Sequence, residues 1–407
     1  MRRIAAHYVF TGIGNPIPMG VITLNDEQVI TEIGVLTDET ESTEFYTGIL
    51  TAGFINVHCH LELSYLRHRL KPCGGLADFI GQMTKIPRRQ PADSEALVAM
   101  RAADAEMQRE GIVAVGDICN TAGSFPLKRE SAIYYHSFIE AVGLDEVAAA
   151  AAMQRLRQLC ADARQAGLPA SITPHAAYSL SDALLDAAID AANRAGILSV
   201  HNQECDAENE LFTAGRGALH DLFAAAGFPL PPVTGQRAVY RLLSRIAPSV
   251  RALFVHNVAL SEDDYDRAAD CLPHLTWALC PNSNRYIGQA VPPVDLLYRR
   301  NARVAIGTDS LASNSRLSVL EELKSISRRF PHIPLQTLLQ WATVNGAAAL
   351  GKEREWGCLR TGANAGIVLI ENVHLHDLRL TADSRACPLV MPTSGANRNP
   401  GKPIPCS

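Results

Sequence analysis

From residue 51 onward, short apolar runs alternate with alanine-rich segments, and this alternation constrains the fold more than any other feature of the chain. The pattern is typical of βα units arranged around a parallel sheet. Eight runs occur: ILTAGFINVHCH (49–60), GIVAVGDICN (111–120), YYHSFIEAVG (134–143), ASITPHAAYS (170–179), ILSVHNQE (197–204), RALFVHNV (251–258), LTWALCPNSN (275–284) and RVAIGTDS (303–310). Because eight such units close a (β/α)8 TIM barrel, we predict an α/β fold with this barrel over residues 51–352.

The segments between the runs carry helix signals. Helices are expected near residues 93–110, 145–166, 180–195 and 317–329. Asp145, Ser179 and Ser261 each precede acidic or alanine-rich turns, so we expect them to cap helix N-termini.

The two ends of the chain differ from its middle. Residues 1–50 are rich in β-branched side chains and are interrupted by Gly, Pro, Asn and Asp, and residues 366–390 return to strand-like alternation. Neither piece alone offers enough strands for a stable sheet. We therefore predict a small β-sandwich-like domain built from 1–50 and 353–390, followed by an irregular tail over 391–407.

Composition excludes several classes of protein. The 407 residues are 47% hydrophobic and 19% charged, as in an ordinary globular chain. A net charge of −5 offers no electrostatic reason to bind nucleic acid or an anionic membrane. No two of the ten cysteines are closer than nine residues, which argues against a disulfide scaffold and favours a reducing compartment. We predict a cytoplasmic enzyme whose partner is a small molecule, and a homodimer stays open.

Histidines and acidic residues collect at the ends of the predicted strands, which meet at one mouth of a barrel. These residues are His58 and His60 on the first run, His175 on the fourth, His201 and Glu204 on the fifth, His256 on the sixth and Asp309 on the eighth. Because strand side chains alternate, His58 and His60 should share a face while Cys59 points away. Taken singly, a histidine is more often a core residue than a ligand. Together, His58, His60, His201 and Asp309 are predicted to hold one divalent ion, zinc or iron.

Several motifs resemble those of one family. GFINVHCHLELS, TPHAAYS, HNQE, HNVAL, CPNSN and IGTDSLASN occur in this order, and the sequence resembles the amidohydrolase superfamily over nearly its whole length. In members with two metals a carboxylated lysine on the fourth strand bridges the ions. LPASITPHAAYSL has no lysine, so the resemblance implies one metal. HNQE is similar to the HxxE motif of the aminohydrolase (deaminase) branch, and HLELS resembles the aminodeoxyfutalosine and adenosylhomocysteine deaminase-like groups.

The same residues suggest a reaction. A bound divalent ion lowers the pKa of its water from 15.7 to about 7 in favourable cases. Asp309 is suited to accept the proton of that water, His256 to orient it, and Glu204 to protonate a departing amine. If Glu204 were only a solvated carboxylate, this assignment would fail.

Four further residues are candidates for binding the substrate. The resemblance implies a substrate-contacting role for His175, which could otherwise cap the chain beside Pro174. Glu62 could reach a substrate polar group or orient His58 or His60. Asn282 could bond substrate or close a turn, and Arg285 could hold an anionic group or be an ordinary exposed arginine. For Arg237, Asp117 and the strand-end cysteines, the sequence does not separate a pocket role from packing.

These observations predict a metal-dependent hydrolase that deaminates an amino-substituted heterocycle, purine- or nucleoside-like, and acts on C–N bonds other than peptide bonds. Two alternatives stay open: hydrolysis of an amidine, formimino or halogenated ring, and a barrel that binds a ligand without turnover.

Overall fold

The computed structural model describes residues 1–37, 42–72, 74–86 and 94–392, so most of the expected tail lies outside the described residues. The strands are β1 Arg2–Phe10, β2 Ile17–Leu24, β3 Ile30–Val35, β4 Thr43–Ala52, β5 Phe54–Cys59, β6 Ile112–Cys119, β7 Tyr134–Ala141, β8 Ala170–Pro174, β9 Ile197–Asn202, β10 Arg251–His256, β11 Leu275–Leu279, β12 Val304–Ile306, β13 Ile367–Glu371 and β14 Arg385–Val390.

Helices occupy most of the connections between strands. They are α1 Leu76–Lys85, α2 Ser94–Arg109, α3 Phe125–Glu130, α4 Ala149–Gln165, α5 Asp182–Ala195, α6 Asp206–Ala214, α7 Ala218–Ala226, α8 Ala238–Leu243, α9 Glu262–Cys271, α10 Pro281–Gly288, α11 Val294–Arg299, α12 Val319–Arg329, α13 Leu335–Ala342 and α14 Val344–Ala349. Short 3-10 turns span Leu61–Leu66 and Ala177–Ser179. None of the described helices combines the length and apolar character that crossing a bilayer requires.

The middle of the chain forms two four-stranded parallel sheets, ordered β5-β6-β7-β8 and β9-β10-β11-β12. Each of the eight predicted runs contains one of these strands. Isolated parallel bridges connect the two sheets at both junctions, pairing Cys59 with Asp309 and Ala176 with His201. The backbone N–H of Asp309 donates to the carbonyl of His58 at 3.0 Å, and that of His201 donates to the carbonyl of His175 at 2.8 Å. The C-terminal ends of the strands at both junctions are therefore held together.

Side chains of these strands enter two separate apolar layers. One layer packs strand residues against each other and includes Ile55, Phe138, Leu253 and Ala278. Alternating residues, such as Ile139 and Phe254, pack outward against the helices. Strands buried on both faces read as continuous apolar runs, which explains the sequence pattern.

The chain ends meet in one mixed sheet of six strands, ordered β14-β13-β4-β1-β2-β3. β13 pairs antiparallel with β4, and β4 pairs parallel with β1 along its other edge. Because β4 pairs with β1 on one edge and with β13 on the other, strands from both chain ends form one sheet. The β-sandwich-like character expected for this domain stays a prediction.

Of the expected helix caps, one is confirmed and two differ. Ser261 caps α9 in a capping box with Asp264. The N-cap of α5 is Ser181 rather than Ser179, because the hydroxyl of Ser179 is bonded to His175. α4 begins at Ala149, and Asp145 instead accepts a hydrogen bond from the backbone of Val147.

Candidate metal centre and active site

A register shift at the end of β5 aims two histidines at the same point. The pairing of β5 with β6 is irregular between Asn56 and Cys59, and such bulges re-aim side chains. Ile55, before the shift, and Val57, within it, pack in the inner layer, whereas Cys59, after it, packs in the outer layer. The Nε2 atoms of His58 and His60 consequently lie 3.2 Å apart.

Residues from β9 and the segment after β12 complete a cluster around these two rings. Nε2 of His201 lies 3.4 Å from Nε2 of His60. Oδ1 of Asp309 lies 3.5 Å from Nε2 of His60 and 3.8 Å from Nε2 of His58. Ligands bound about 2.0–2.1 Å from a tetrahedral zinc lie about 3.3 Å from one another, so the observed separations fit one ion.

The protonation of the rings also fits a cation. Nδ1 of His201 is 2.8 Å from the carbonyl of His175, so it carries the hydrogen and Nε2 presents its lone pair to the cluster. Nδ1 of His58 is buried without a hydrogen-bond partner among the described residues. Burial lowers the pKa of His58 and His201 well below the usual histidine value, and the neighbouring histidines lower it further. Neutral rings with converging lone pairs suit a metal ion.

Three serine groups hold the carboxylate of Asp309. The hydroxyls of Ser283 and Ser313 donate to Oδ2 at 2.5 and 2.9 Å, and the backbone N–H of Ser310 donates to Oδ1 at 2.7 Å. Burial opposes ionisation of Asp309, but the nearby histidines and the Ser283 hydroxyl outweigh it and lower its pKa to about 2. Asp309 is therefore an ionised, oriented carboxylate.

His256 and Glu204 lie beside this cluster. Nε2 of His256 is 3.8 Å from Oε1 of Glu204, and Nδ1 of His256 bonds the side-chain amide of Asn284 at 2.9 Å. Burial raises the pKa of Glu204 well above the usual glutamate value, and the charges of Asp309 and Glu208 add to this. Burial also lowers the pKa of His256 to about 4. A carboxyl group with a raised pKa, next to an imidazole with a lowered one, is suited to move a proton.

Left-handed backbone conformations concentrate at the same strand ends. Gln203, His256 and Asp309 have φ values of 46°, 74° and 58°. Such conformations cost about 1–3 kcal/mol each in non-glycine residues and cluster at functional sites.

A comparison with known proteins identifies the family. Residues 49–392 match the amidohydrolase family. The chain belongs to this family. The resemblance seen in the sequence is thereby confirmed.

Individual relatives of this amidohydrolase carry deaminase or hydrolase names. The chain is 28% identical over 350 residues to the aminodeoxyfutalosine deaminase of a Nitratiruptor species, covering 81% of this chain and 82% of the relative. It matches the structure of Helicobacter pylori aminofutalosine deaminase in complex with methylthio-coformycin with a TM-score of 0.79 and 21% identity, over 96% and 99% of the two chains. It also matches atrazine chlorohydrolase from Arthrobacter aurescens complexed with zinc, with a TM-score of 0.75 and 18% identity, over 96% and 94%.

The predicted substrate-binding residues of this amidohydrolase fall into two groups. The ring of His175 lies beside the cluster, with its centroid 4.5 Å from that of His201 and its Nδ1 2.7 Å from the Ser179 hydroxyl. Glu62 accepts hydrogen bonds from the backbone of Asn120 and from the backbone and hydroxyl of Thr121, and so holds the loop after β6.

The other two candidates sit on α10. The backbone N–H of Asn282 donates to Glu322, and its side-chain oxygen accepts from the Ser325 hydroxyl, so α12 holds Asn282. Arg285 is exposed on the same helix.

For Arg237, Asp117 and the strand-end cysteines, whose roles the sequence left open, the structure shows contacts with other residues of the fold. Nε of Arg237 donates to the buried Asp264 at 2.6 Å. Asp117 and Cys119 contact the buried Lys128 behind β6. Cys280 packs in the inner layer, and the eight cysteines in the described ranges are all free.

Two parts of the site were missed by the sequence interpretation. Ser313 lies four residues after Asp309 outside any helix, so only the folded structure shows its contact with the carboxylate. Glu140 is the last inward-facing residue of β7, and the alternation of side chains along a strand could have shown this. From sequence alone, however, a glutamate at the end of a strand is expected to be exposed to solvent.

Proposed function

We propose that this amidohydrolase is a metal-dependent aminohydrolase that deaminates a purine- or nucleoside-like heterocycle and releases ammonia. The proposal is carried by the convergence of three imidazole Nε2 atoms and the Asp309 carboxylate beside Glu204, a buried carboxyl group whose pKa is raised. The deaminase names of the relatives support the substrate class.

The ligands in this proposal are His58, His60, His201 and Asp309, and the ion is zinc, with iron as the alternative that shares this ligand set. A divalent ion held there supplies a water whose pKa is lowered toward neutrality. The zinc complex of a structural neighbour supports the choice of zinc.

The remaining steps belong to side chains of the chain itself. Asp309, already ionised and held by Ser283 and Ser313, accepts the proton of the attacking water. His256, neutral and oriented by Asn284, hydrogen-bonds the oxygen that attacks the ring carbon. Glu204 gives its proton to the amino group, which leaves as ammonia. His175 lies close enough to the cluster to contact the ring.

A halogenated substrate fits this arrangement less well. Chloride leaves as an anion and needs no proton, so a buried protonated Glu204 gives it little help. An amine leaving group does need that proton, which is why we propose a deaminase.

The proposal includes the architecture around the site. The bridges at both junctions support a closed (β/α)8 barrel over residues 51–352, with 1–50 and 353–390 forming the small β-domain. Free cysteines in the described ranges support a reducing, cytoplasmic location.

The test is ammonia release by protein loaded with zinc or iron, assayed with aminopurines, aminopyrimidines and their nucleosides. We expect release from at least one purine nucleoside and none after chelation. Full metal occupancy with no ammonia from any compound would refute the deaminase.

A further inference from the structure

Glu140 lies at the mouth although nothing in the proposed reaction uses it. On β7 the inward-facing series is Tyr134, His136, Phe138 and Glu140, of which Tyr134 and Phe138 belong to the inner layer. Glu140 is the last member and pairs in register with Thr173 on β8, two residues before His175. Its carboxylate nevertheless reaches the site histidines, since Oε1 lies 3.9 Å from Nδ1 of His201.

The two oxygens of this carboxylate differ. Oε2 accepts a hydrogen bond from Nδ2 of Asn120 at 3.0 Å. Oε1 is buried and has no hydrogen-bond partner among the described residues, and the side chain is only 5% exposed. A buried acceptor without a donor is costly. One oxygen is thus held in place while the other is oriented but unsatisfied.

A metal ion is a poor candidate for the missing partner. Oε1 of Glu140 is 3.9 Å from Nδ1 of His201, and ligand atoms of Glu140, His175 and His201 lie within 4.8 Å of one another. However, Nδ1 of His201 already donates its hydrogen to the carbonyl of His175. Because Nδ1 of His201 therefore has no free lone pair, Glu140, His175 and His201 do not supply three ligands for an ion.

A neutral hydrogen-bond donor fits better. An ionised carboxylate only accepts hydrogen bonds, and hydrogen bonds to a charged group are the stronger ones. Glu140 and Asp309 place two carboxylates near the mouth, which disfavours a phosphate or carboxylate close to this wall. The remaining donor classes are hydroxyl and N–H groups.

We propose that Glu140 forms a hydroxyl-binding subsite, in which Oε1 accepts a hydrogen bond from a sugar hydroxyl of the substrate. The substrate is then a nucleoside with its hydroxyls intact rather than a free base. This rests on the proposed deamination, which it deepens. Asn120 is a positioning residue, since it acts on the substrate only through Glu140.

The experiment compares wild type with Glu140→Gln on adenosine, 2′-deoxyadenosine, 3′-deoxyadenosine and adenine. For the wild type, kcat/KM should fall roughly 10- to 100-fold when the bonded hydroxyl is absent. In Glu140→Gln the single amide oxygen is needed to accept from Asn120, so an NH2 group takes the place of Oε1. The variant should therefore lose a similar factor on adenosine and almost nothing on the deoxy compound that lacks this hydroxyl. Equal losses on all four compounds, or no loss on any, would overturn the subsite.

A second variant guards against misfolding. Asn120 is exposed, so Asn120→Ala should fold normally and show a smaller loss with the same dependence on the hydroxyl. Glu106→Gln, which removes a mostly buried carboxylate on α2 outside the mouth, should show no such dependence. A hydroxyl-dependent loss in Glu106→Gln would contradict the assignment.

Binding separates failure of the subsite from failure of the reaction. Calorimetric binding of inosine and 2′- and 3′-deoxyinosine to metal-loaded wild type and Glu140→Gln needs no turnover. Coupling between Glu140 and one hydroxyl without any ammonia release would support the subsite and refute the deaminase. Ammonia release with no coupling in either assay would leave the deaminase standing and refute the subsite.

Discussion

Two clusters of buried polar side chains lie on the parallel strands, one behind β6 and one at the mouth formed by the strand ends. Behind β6, Nζ of Lys128 lies 2.6 Å from Oδ2 of Asp117, 2.8 Å from Sγ of Cys119 and 3.1 Å from the hydroxyl of Ser137. Asp117 and Lys128 are both fully buried. The second oxygen of Asp117 accepts the backbone N–H of Leu61 at 2.8 Å. Opposite charges and matched donors and acceptors make this cluster complete.

The mouth cluster has the opposite character. Three imidazole nitrogens of the same kind converge, and His58 and Glu140 each keep a buried polar atom without a partner among the described residues. Burying polar groups is costly unless they are paired. The fold pairs the groups of the first cluster, whereas the proposed cation and substrate would pair those of the second. Of these two clusters, only the one at the mouth keeps such unpartnered atoms on the residues named here.

Removing the charge at the mouth should have the largest effect. Asp309→Asn keeps the size of the side chain but loses the carboxylate ligand, so we expect loss of bound metal and ammonia release at background level. Metal analysis and the ammonia assay measure both effects. Chelation of the wild type should reproduce them, and added zinc should restore only the wild type. A variant that retained one ion per chain and turned over would contradict the ligand assignment.

Glu204→Gln should spare the metal and stop the reaction. The amide cannot donate the proton that the leaving amine requires, so kcat should fall roughly 10²- to 10⁴-fold. Metal content should stay at the wild-type level, and Glu106→Gln serves as the control for loss of a buried carboxylate. Turnover at the wild-type rate would show that another group is the acid.

A substitution in the cluster behind β6 should lower the stability of the fold rather than the activity. Lys128→Met leaves Asp117 as a buried, uncompensated charge, so we expect the free energy of unfolding to fall by about 3–5 kcal/mol. Denaturant unfolding of metal-free protein measures this, and the exposed Lys85→Met should change it by less than about 0.5 kcal/mol. Folded Lys128→Met should still bind metal. If it lost metal without losing stability, the two clusters would not be independent.

The fold was largely predictable because its strands are buried on both faces. The run 251–258, for example, has four consecutive apolar residues at 252–255, and these lie in the buried part of β10. The meeting of the two chain ends in one small β-domain was predicted, but the pairing of β13 with β4 was not. It joins residues more than 300 positions apart, and periodicity carries no information on which distant strands pair.

For the site, the alternation of side chains along a strand was informative only where it placed residues of a recognisable ligand type on the same face. It brought His58 and His60 to one face, but the register shift that aims them is invisible in the sequence. The same alternation applies to Glu140, whose burial depends on Asn120 from another strand end. Glu62 bonds a loop 58 residues away, so its role required the tertiary structure.

The smallest effects should come from removing one hydroxyl from each cluster. Ser313 donates to Asp309 at 2.9 Å and Ser137 accepts from Lys128 at 3.1 Å, and both serines are fully buried. Ser313→Ala should weaken metal binding roughly 10-fold, at the low end for such partners because Ser283 still holds Asp309. Ser137→Ala should leave metal affinity unchanged and lower the free energy of unfolding by about 1–2 kcal/mol. Competition with a chromophoric chelator and denaturant unfolding of the metal-free proteins measure the two effects. Equal shifts of metal affinity in both variants would show that the fold does not separate the paired cluster from the one that needs a ligand.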